Sequence, residues 1–281
     1  MILTTYFMMN YLKKKIIKEF NIYFYSISNH TSSPVCLPST IIKIGLIIPI
    51  SSNKRNYKNI QEIDFIKIVL PSFKKHMNSS GMYTYNFYLG YDDDDKYYVD
   101  NNEQIINYLN AQLIDNTSFT MMPIYNKKSK LSEIWTELAF KAVSENNEFL
   151  YQLGDDIEFL DSDWEYYFIK QLKKQDNVGV VGPLDINNKS VLTQSFVNKK
   201  HLEIFNYYYP HEIKNMFIDD WIENVYKDIF NNRSFKFNNI RVKNSGGEYR
   251  YVFDQNNVKE IYIKQLEQGK QILKKYLEPL L

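Results

Sequence analysis

Apolar residues fall into two rhythms along most of this chain. The first is the short unbroken run. Ile41-Ile42-Lys43-Ile44-Gly45-Leu46-Ile47-Ile48-Pro49-Ile50 is β-branched, carries one charge and is closed by proline, the pattern of a strand covered on both faces. Phe149–Leu153 and Val178–Pro183 read the same way, Tyr83–Gly90 alternates, and Ser118–Tyr125 makes a further strand. The second rhythm has the helical period. Leu131–Ser144 sets Ile134, Trp135, Leu138, Ala139, Ala142 and Val143 on one face, which predicts a helix. Ile60–Met77 is periodic through Ile63, Ile66, Val69 and Leu70, with Pro71 expected to kink or end it. Asn101–Asn110 is a further helix. Another carries Trp164, Tyr167, Phe168 and Leu172, with Asp161 or Asp163 as its N-cap.

Strand and helix thus alternate through the first part, which predicts an α/β fold around a mostly parallel sheet flanked by helices. Ligands of such sheets sit at the carboxyl ends of the strands. Four polar loops lie there: Ser51–Arg55, Asp92–Asp95, Lys127–Lys130 and Gly154-Asp155-Asp156. They are expected to converge on one edge. Residues 184–281 read differently. A short strand over Thr193–Val197 and a helical turn over His201–Phe205 precede the cluster Tyr207-Tyr208-Tyr209, which reads as core or as the lining of a groove. Asp219-Asp220 opens an amphipathic helix over Phe217–Tyr226. Phe235–Val242 is a strand, Asn244-Ser245-Gly246-Gly247 a turn, and Ile261–Leu277 a final helix. Residues 1–40 show no such organisation, and Asn29–Thr40 reads as a linker. One domain is therefore expected over 41–281, with halves at 41–183 and 184–281.

Bulk properties narrow the function classes. The chain has 281 residues, 44% hydrophobic and 16% aromatic, enough for a sizeable core. A net charge of +1 argues against a nucleic-acid-binding surface. The single cysteine, Cys36, excludes an internal disulfide framework and a Cys-based zinc site. His30, His76, His201 and His211 show no paired ligand spacing. No run approaches the ~20 apolar residues of a membrane span. Lys13-Lys14-Lys15 follows the apolar start instead of preceding it, the reverse of a signal peptide. A soluble cytoplasmic protein is expected, with a membrane-surface role for Tyr11–Phe24 as the alternative.

The chemistry centres on Gly154-Asp155-Asp156. Two adjacent carboxylates at the mouth of a buried strand repel each other and lose hydration. A divalent cation relieves both costs, because Mg²⁺ and Mn²⁺ prefer carboxylate oxygens. The plainer alternative is a pair of loop acids capping the next helix.

In the order of these features the chain resembles a glycosyltransferase of the GT-A fold. The carriers are Leu46–Ser51, resembling the first strand and nucleotide loop; Leu131–Ala142 with Glu148–Phe159, resembling the helix and strand that lead into the DxD motif; and Phe217-Ile218-Asp219-Asp220-Trp221, resembling the acidic motif on the acceptor side. They span about 41–255, and Asp220 lies 64 residues after Asp156. Gly154 departs from the pattern, which usually has an acid at the first DxD position.

The resemblance implies sugar transfer from a UDP-, GDP- or TDP-sugar to a hydroxyl of a glycan, protein or small molecule, with Mn²⁺ or Mg²⁺ as cofactor and inversion expected. It implies Asp156 as metal ligand and Asp155 on the ribose or donor sugar. Pro49 and Ser51 belong to the nucleotide loop. Asp92 is a candidate for base or ribose, or a solvated turn. Arg55, Lys128 and Lys130 are candidates for phosphate, or solvated basic residues. His201 would complete the metal site or be structural; Asn244 is a comparable candidate. Asp220 would be the base for the acceptor hydroxyl, Asp219 would orient acceptor hydroxyls, and Trp221 would be a platform for a sugar ring; N-cap and core are the alternatives for Asp219 and Trp221. The rival functions are a nucleotidyltransferase, disfavoured by the absence of Gly in Ser51–Asn56, and a binding module without catalysis, which Gly154 supports.

Overall fold

The computed structural model describes residues 41–112, 116–227, 229–245 and 257–280. Eight strands form one sheet: β1 (Ile42–Pro49), β2 (Tyr83–Asp92), β3 (Thr117–Ile124), β4 (Phe149–Gln152), β5 (Ile157–Phe159), β6 (Val180–Asp185), β7 (Phe196–Asn198) and β8 (Ser234–Asn244). Their order is β3-β2-β1-β4-β7-β6-β8-β5. β1 pairs in parallel with β2 and β4, β2 with β3, and β6 with β8; the pairings of β4 with β7, β6 with β7 and β5 with β8 are antiparallel.

The unbroken apolar run of β1 is explained by its place inside the sheet, with helices on both faces. Ile44, Leu46 and Ile48 point to one core and Ile47 to the other, the period-two split of a strand buried on both sides. Against the first face pack a π-helical turn (Phe65–Val69) running into α1 (Leu70–His76), then α2 (Lys96–Ala111) and α4 (Trp164–Lys173). Against the second pack α3 (Leu131–Ser144), α6 (Ile218–Val225) and α7 (Val258–Leu277). The short α5 (Lys200–Phe205) joins the second core. At Gly45 a Cβ would lie 2.9 Å from the Ala142 Cβ. The bare backbone there is what lets α3 lie against β1.

Several local expectations are corrected. Pro71 does not end its helix: helical backbone runs unbroken from Asp64 to His76, and Pro71 stands where the π-helical turn Phe65–Val69 passes into α1, so its missing N–H falls at the change of helical pitch. Neither aspartate caps α4 by its side chain. Asp163 occupies the N-cap with φ 65° and no side-chain cap bond. Asp161 instead accepts from Arg241 Nε at 2.8 Å, Nη2 at 3.0 Å and the backbone N at 2.8 Å, and the guanidinium holds its carboxyl below the usual range. β7 is shorter than expected, which leaves residues 193–195 in a loop. α2 and α7 begin earlier than their apolar periodicity suggests. The expected turn at Gly246-Gly247 and the segment 1–40 lie outside the described residues.

Candidate active site

The strand-end loops meet through named hydrogen bonds. β1 ends at Pro49, and Ile50 N donates to Gly90 O at 2.7 Å. Ser52 then donates from its N (2.8 Å) and its Oγ (2.6 Å) to the Asp95 carboxylate. That bond fastens the loop after β1 to the loop after β2. Asp94 in turn pairs with Lys128 Nζ at 2.7 Å, so the loop after β3 joins them. Asn215 closes the ring from the second half: its Oδ1 accepts from Leu131 N at 3.3 Å and its Nδ2 donates to Ser129 O at 2.8 Å.

Beside this ring lies a cleft of about 640 Å³. Its lining includes Gln152, the last residue of β4, and Gly154 just after it, together with Asp219 and Asp220. Of the turn after β4, Gly154 lines this space together with the second acidic pair, whereas Asp155 and Asp156 are not among its described lining residues. Asp155 is 2% exposed, whereas Asp156 is half-buried, so Asp156 offers more of its surface. A Cβ on Gly154 would lie 3.0 Å from Asp156 Oδ1. The glycine at the first DxD position thus leaves room for the Asp156 carboxylate, which lies over it, and a larger residue there would press on that carboxylate.

Asp219 and Asp220 occupy the first turn of α6. The Asp219 carboxyl is pushed up to about 8, first by burial and then by the carboxylates of Asp220, Glu223 and Asp185. Asp220 is raised by burial and by Glu223. A carboxyl poised near neutral pH is suited to taking and holding a proton.

The structure corrects two assignments. Trp221 is 0% exposed and its indole N–H donates to Gln265 O at 3.1 Å. It packs among Phe205, Tyr207 and His201 and offers no face to a sugar ring. Its position on α6, one step beyond Asp220, turns it into the second core. His201 is 1% exposed. Its Nδ1 is 2.8 Å from the Tyr226 hydroxyl and its Nε2 is 2.9 Å from Tyr208 O. Both ring nitrogens are engaged, and burial lowers its pKa to about 4, so it is a neutral core residue and not a metal ligand. Tyr208 and Tyr209 are likewise core.

The candidate phosphate cations are each tied to a carboxylate: Arg55 to Asp64 at 3.1 Å, Lys128 to Asp94, and Lys130 to Glu133 at 3.2 Å. Ser51 and Asp92 are buried at the ends of β1 and β2. Asn244 lines the cleft. Among the described residues no group of three or more His, Cys, Asp or Glu side chains is arranged to hold a metal. At the turn a single half-buried carboxylate, Asp156, is the one beside Gly154 that is not deeply buried.

Sequence reasoning passed over Asp185, Gln194 and Trp135, all in the cleft lining. Asp185 ends β6, so the rule that singled out the other strand ends applies to it equally. Gln194 and Trp135 carry no signal apart from the fold.

No protein-family model matches the sequence, and no curated protein matches it. Solved structures do match in fold. The chain is similar to S. aureus TarS, a glycosyltransferase: TM-score 0.51, 13% identity, over 84% of this chain and 43% of that one. TarS 1–349 in complex with UDP gives 0.52, 14%, 84% and 71%, and its complex with UDP-GlcNAc gives 0.52, 13%, 84% and 72%. This chain spans less than half the length of the longer TarS chain. The fold is thus of the GT-A-like α/β type seen in glycosyltransferases.

Proposed function

We propose that this protein is a metal-dependent, inverting glycosyltransferase that moves a sugar from a nucleotide diphosphate sugar to an acceptor hydroxyl. One observation carries the reading: Gly154, the residue before the Asp155-Asp156 pair, and the raised carboxyl pair Asp219-Asp220 line one cleft at the strand ends. A uridine nucleotide is the favoured donor, since TarS of the same fold has been solved with UDP and UDP-GlcNAc.

In this reading the loops after β1 and β2 hold the nucleoside, with Ser51 and Asp92 at its edge. Asp156 would hold Mn²⁺ or Mg²⁺, which would supply Lewis-acid stabilisation of the departing diphosphate. Asp220 accepts the proton of the acceptor hydroxyl as its oxygen forms a bond to the anomeric carbon. The bond from that carbon to the diphosphate oxygen breaks on the opposite face, and the bonding pair leaves with the diphosphate. Asp219 holds acceptor hydroxyls in line. The first turn of α6 favours the negative charge on Asp220, while Asp219, held at about 8, is largely protonated at neutral pH.

The test is thermal shift with UDP, with and without Mn²⁺. A metal-dependent rise in Tm is expected, lost in Asp156→Asn. No rise with UDP, GDP or TDP would refute the donor site. A rise unchanged in Asp156→Asn would refute the ligand assignment.

A further inference from the structure

The cleft has a chemical bias of its own. Its neutral hydrogen-bonding side chains include the carboxamides of Gln152, Asn187, Gln194 and Asn244. Three carboxylates, Asp185, Asp219 and Asp220, share the lining, and none of the described lining residues is Lys, Arg or His. Gln152, Gln194 and Asp185 are buried, so they belong to a built wall. Gln152 Oε1 accepts from Ser195 N at 3.1 Å and from Ser195 Oγ at 3.2 Å. Asp185 accepts from Asn187 N at 3.0 Å, Thr193 Oγ1 at 3.0 Å and Asn244 N at 3.3 Å, which draws the loop after β6 and the end of β8 together around the space. A donor is left over as well. Trp135 lines the cleft, is 6% exposed, and its indole N–H has no acceptor among the described residues. Buried donors without partners are uncommon, and a hydroxyl oxygen would satisfy this one.

Carboxamides and carboxylates are suited to sugar hydroxyls, which both donate and accept. Recognition of a carboxylate or phosphate calls for Arg or Lys, with paired donors and opposite charge. A negative group on the acceptor, away from the metal that would neutralise the donor diphosphate, would meet the carboxylates of Asp185 and Asp220 beside a largely protonated Asp219, and no cation from the described wall; like charge is costly in a partly desolvated cleft.

We infer that the acceptor entering this cleft is an uncharged or amino sugar, and that uronates and phosphorylated glycans are excluded. The inference rests on the glycosyl-transfer reading and adds to it the class of acceptor. Asp185 is the residue that sets the exclusion without contacting the reacting atoms: its charge sits in the wall, and its bonds place Asn187 and Asn244.

The experiment is saturation-transfer NMR on the full chain saturated with UDP and diamagnetic Mg²⁺, using three matched probes: methyl glucoside, methyl glucuronide and methyl glucosaminide. UDP binding is measured first and separately, so its failure refutes the donor site and not this inference. With UDP bound, the glucoside and glucosaminide are expected to bind at least tenfold more tightly than the glucuronide. In Asp185→Asn, which removes the charge and keeps the shape, that gap should narrow by about threefold or more. Equal or tighter binding of the glucuronide overturns the inference, as does binding of none of the three. An unchanged gap in a folded Asp185→Asn overturns the role given to Asp185.

Discussion

Asp219 should make this protein more stable in acid than at neutral pH, and Asp219→Asn should remove that dependence. Its carboxyl is ordinarily at 3.8 and is held at about 8 in the fold by burial and by Asp220, Glu223 and Asp185. Between those values the native state binds the proton and the unfolded chain does not. Stability then falls as pH rises, by up to about 1.4 kcal/mol per pH unit, and levels off above about 8. Taken in full, that is about 4 kcal/mol lost at pH 7 relative to a carboxyl that is never ionised. Asp219 is only half-buried, and water at its exposed edge offsets roughly half, leaving about 2 kcal/mol. Asparagine has the shape of the protonated acid without its titration. Urea denaturation of both proteins at pH 5, 6, 7 and 8 reads the difference. Asp219→Asn should gain on the parent steadily across the series, reaching about 2 kcal/mol at pH 7. A difference that stays flat from pH 5 to pH 8, or one in which the parent gains as pH rises, would refute the electrostatic account of this pair.

Asp220→Asn should keep the UDP- and metal-linked rise in Tm and lower transfer by about 10²–10⁴-fold, the range for loss of a general base; retention of full activity would remove Asp220 from that role. His201→Ala should cost about 2–4 kcal/mol through loss of buried contacts and of two hydrogen bonds. It should leave the metal dependence of nucleotide binding unchanged, and an altered metal requirement in a folded His201→Ala would restore His201 to the metal site. Trp221→Phe keeps an apolar ring in the core but loses the indole bond to Gln265 O and part of the buried ring volume, so about 1–3 kcal/mol of stability should be lost in urea denaturation with acceptor binding intact; weakened acceptor binding at unchanged stability would favour the platform.

A large part of the architecture was legible in the apolar pattern. β1, α3 and β4 lie within the runs at 41–50, 131–144 and 149–153, because a strand covered on both faces and a helix covered on one have different periods. The rule that ligands gather at strand ends picked out loops that do meet, through Ser52 with Asp95 and Asp94 with Lys128. The same pattern was silent on direction. Trp221 follows two acids that open on the cleft, and nothing in the residue string says that one helical step turns it into the core. His201 precedes an apolar turn, and only Tyr226 and Tyr208 O closing on both its nitrogens show that it is structural.

The sequence by itself determined most strands of the sheet, though not β5, and it put Asp92–Asp95 and Asp155-Asp156 after strand ends, because periodicity and charge are local properties of the chain. Tertiary structure alone decided which of those acids share a space and what surrounds them. Gly154 lies under the Asp156 carboxylate, and Asp185, Gln194 and Trp135 enter the cleft. Asp219 rises to about 8, because desolvation and repulsion depend on distances in space, across chain separations that no local pattern encodes.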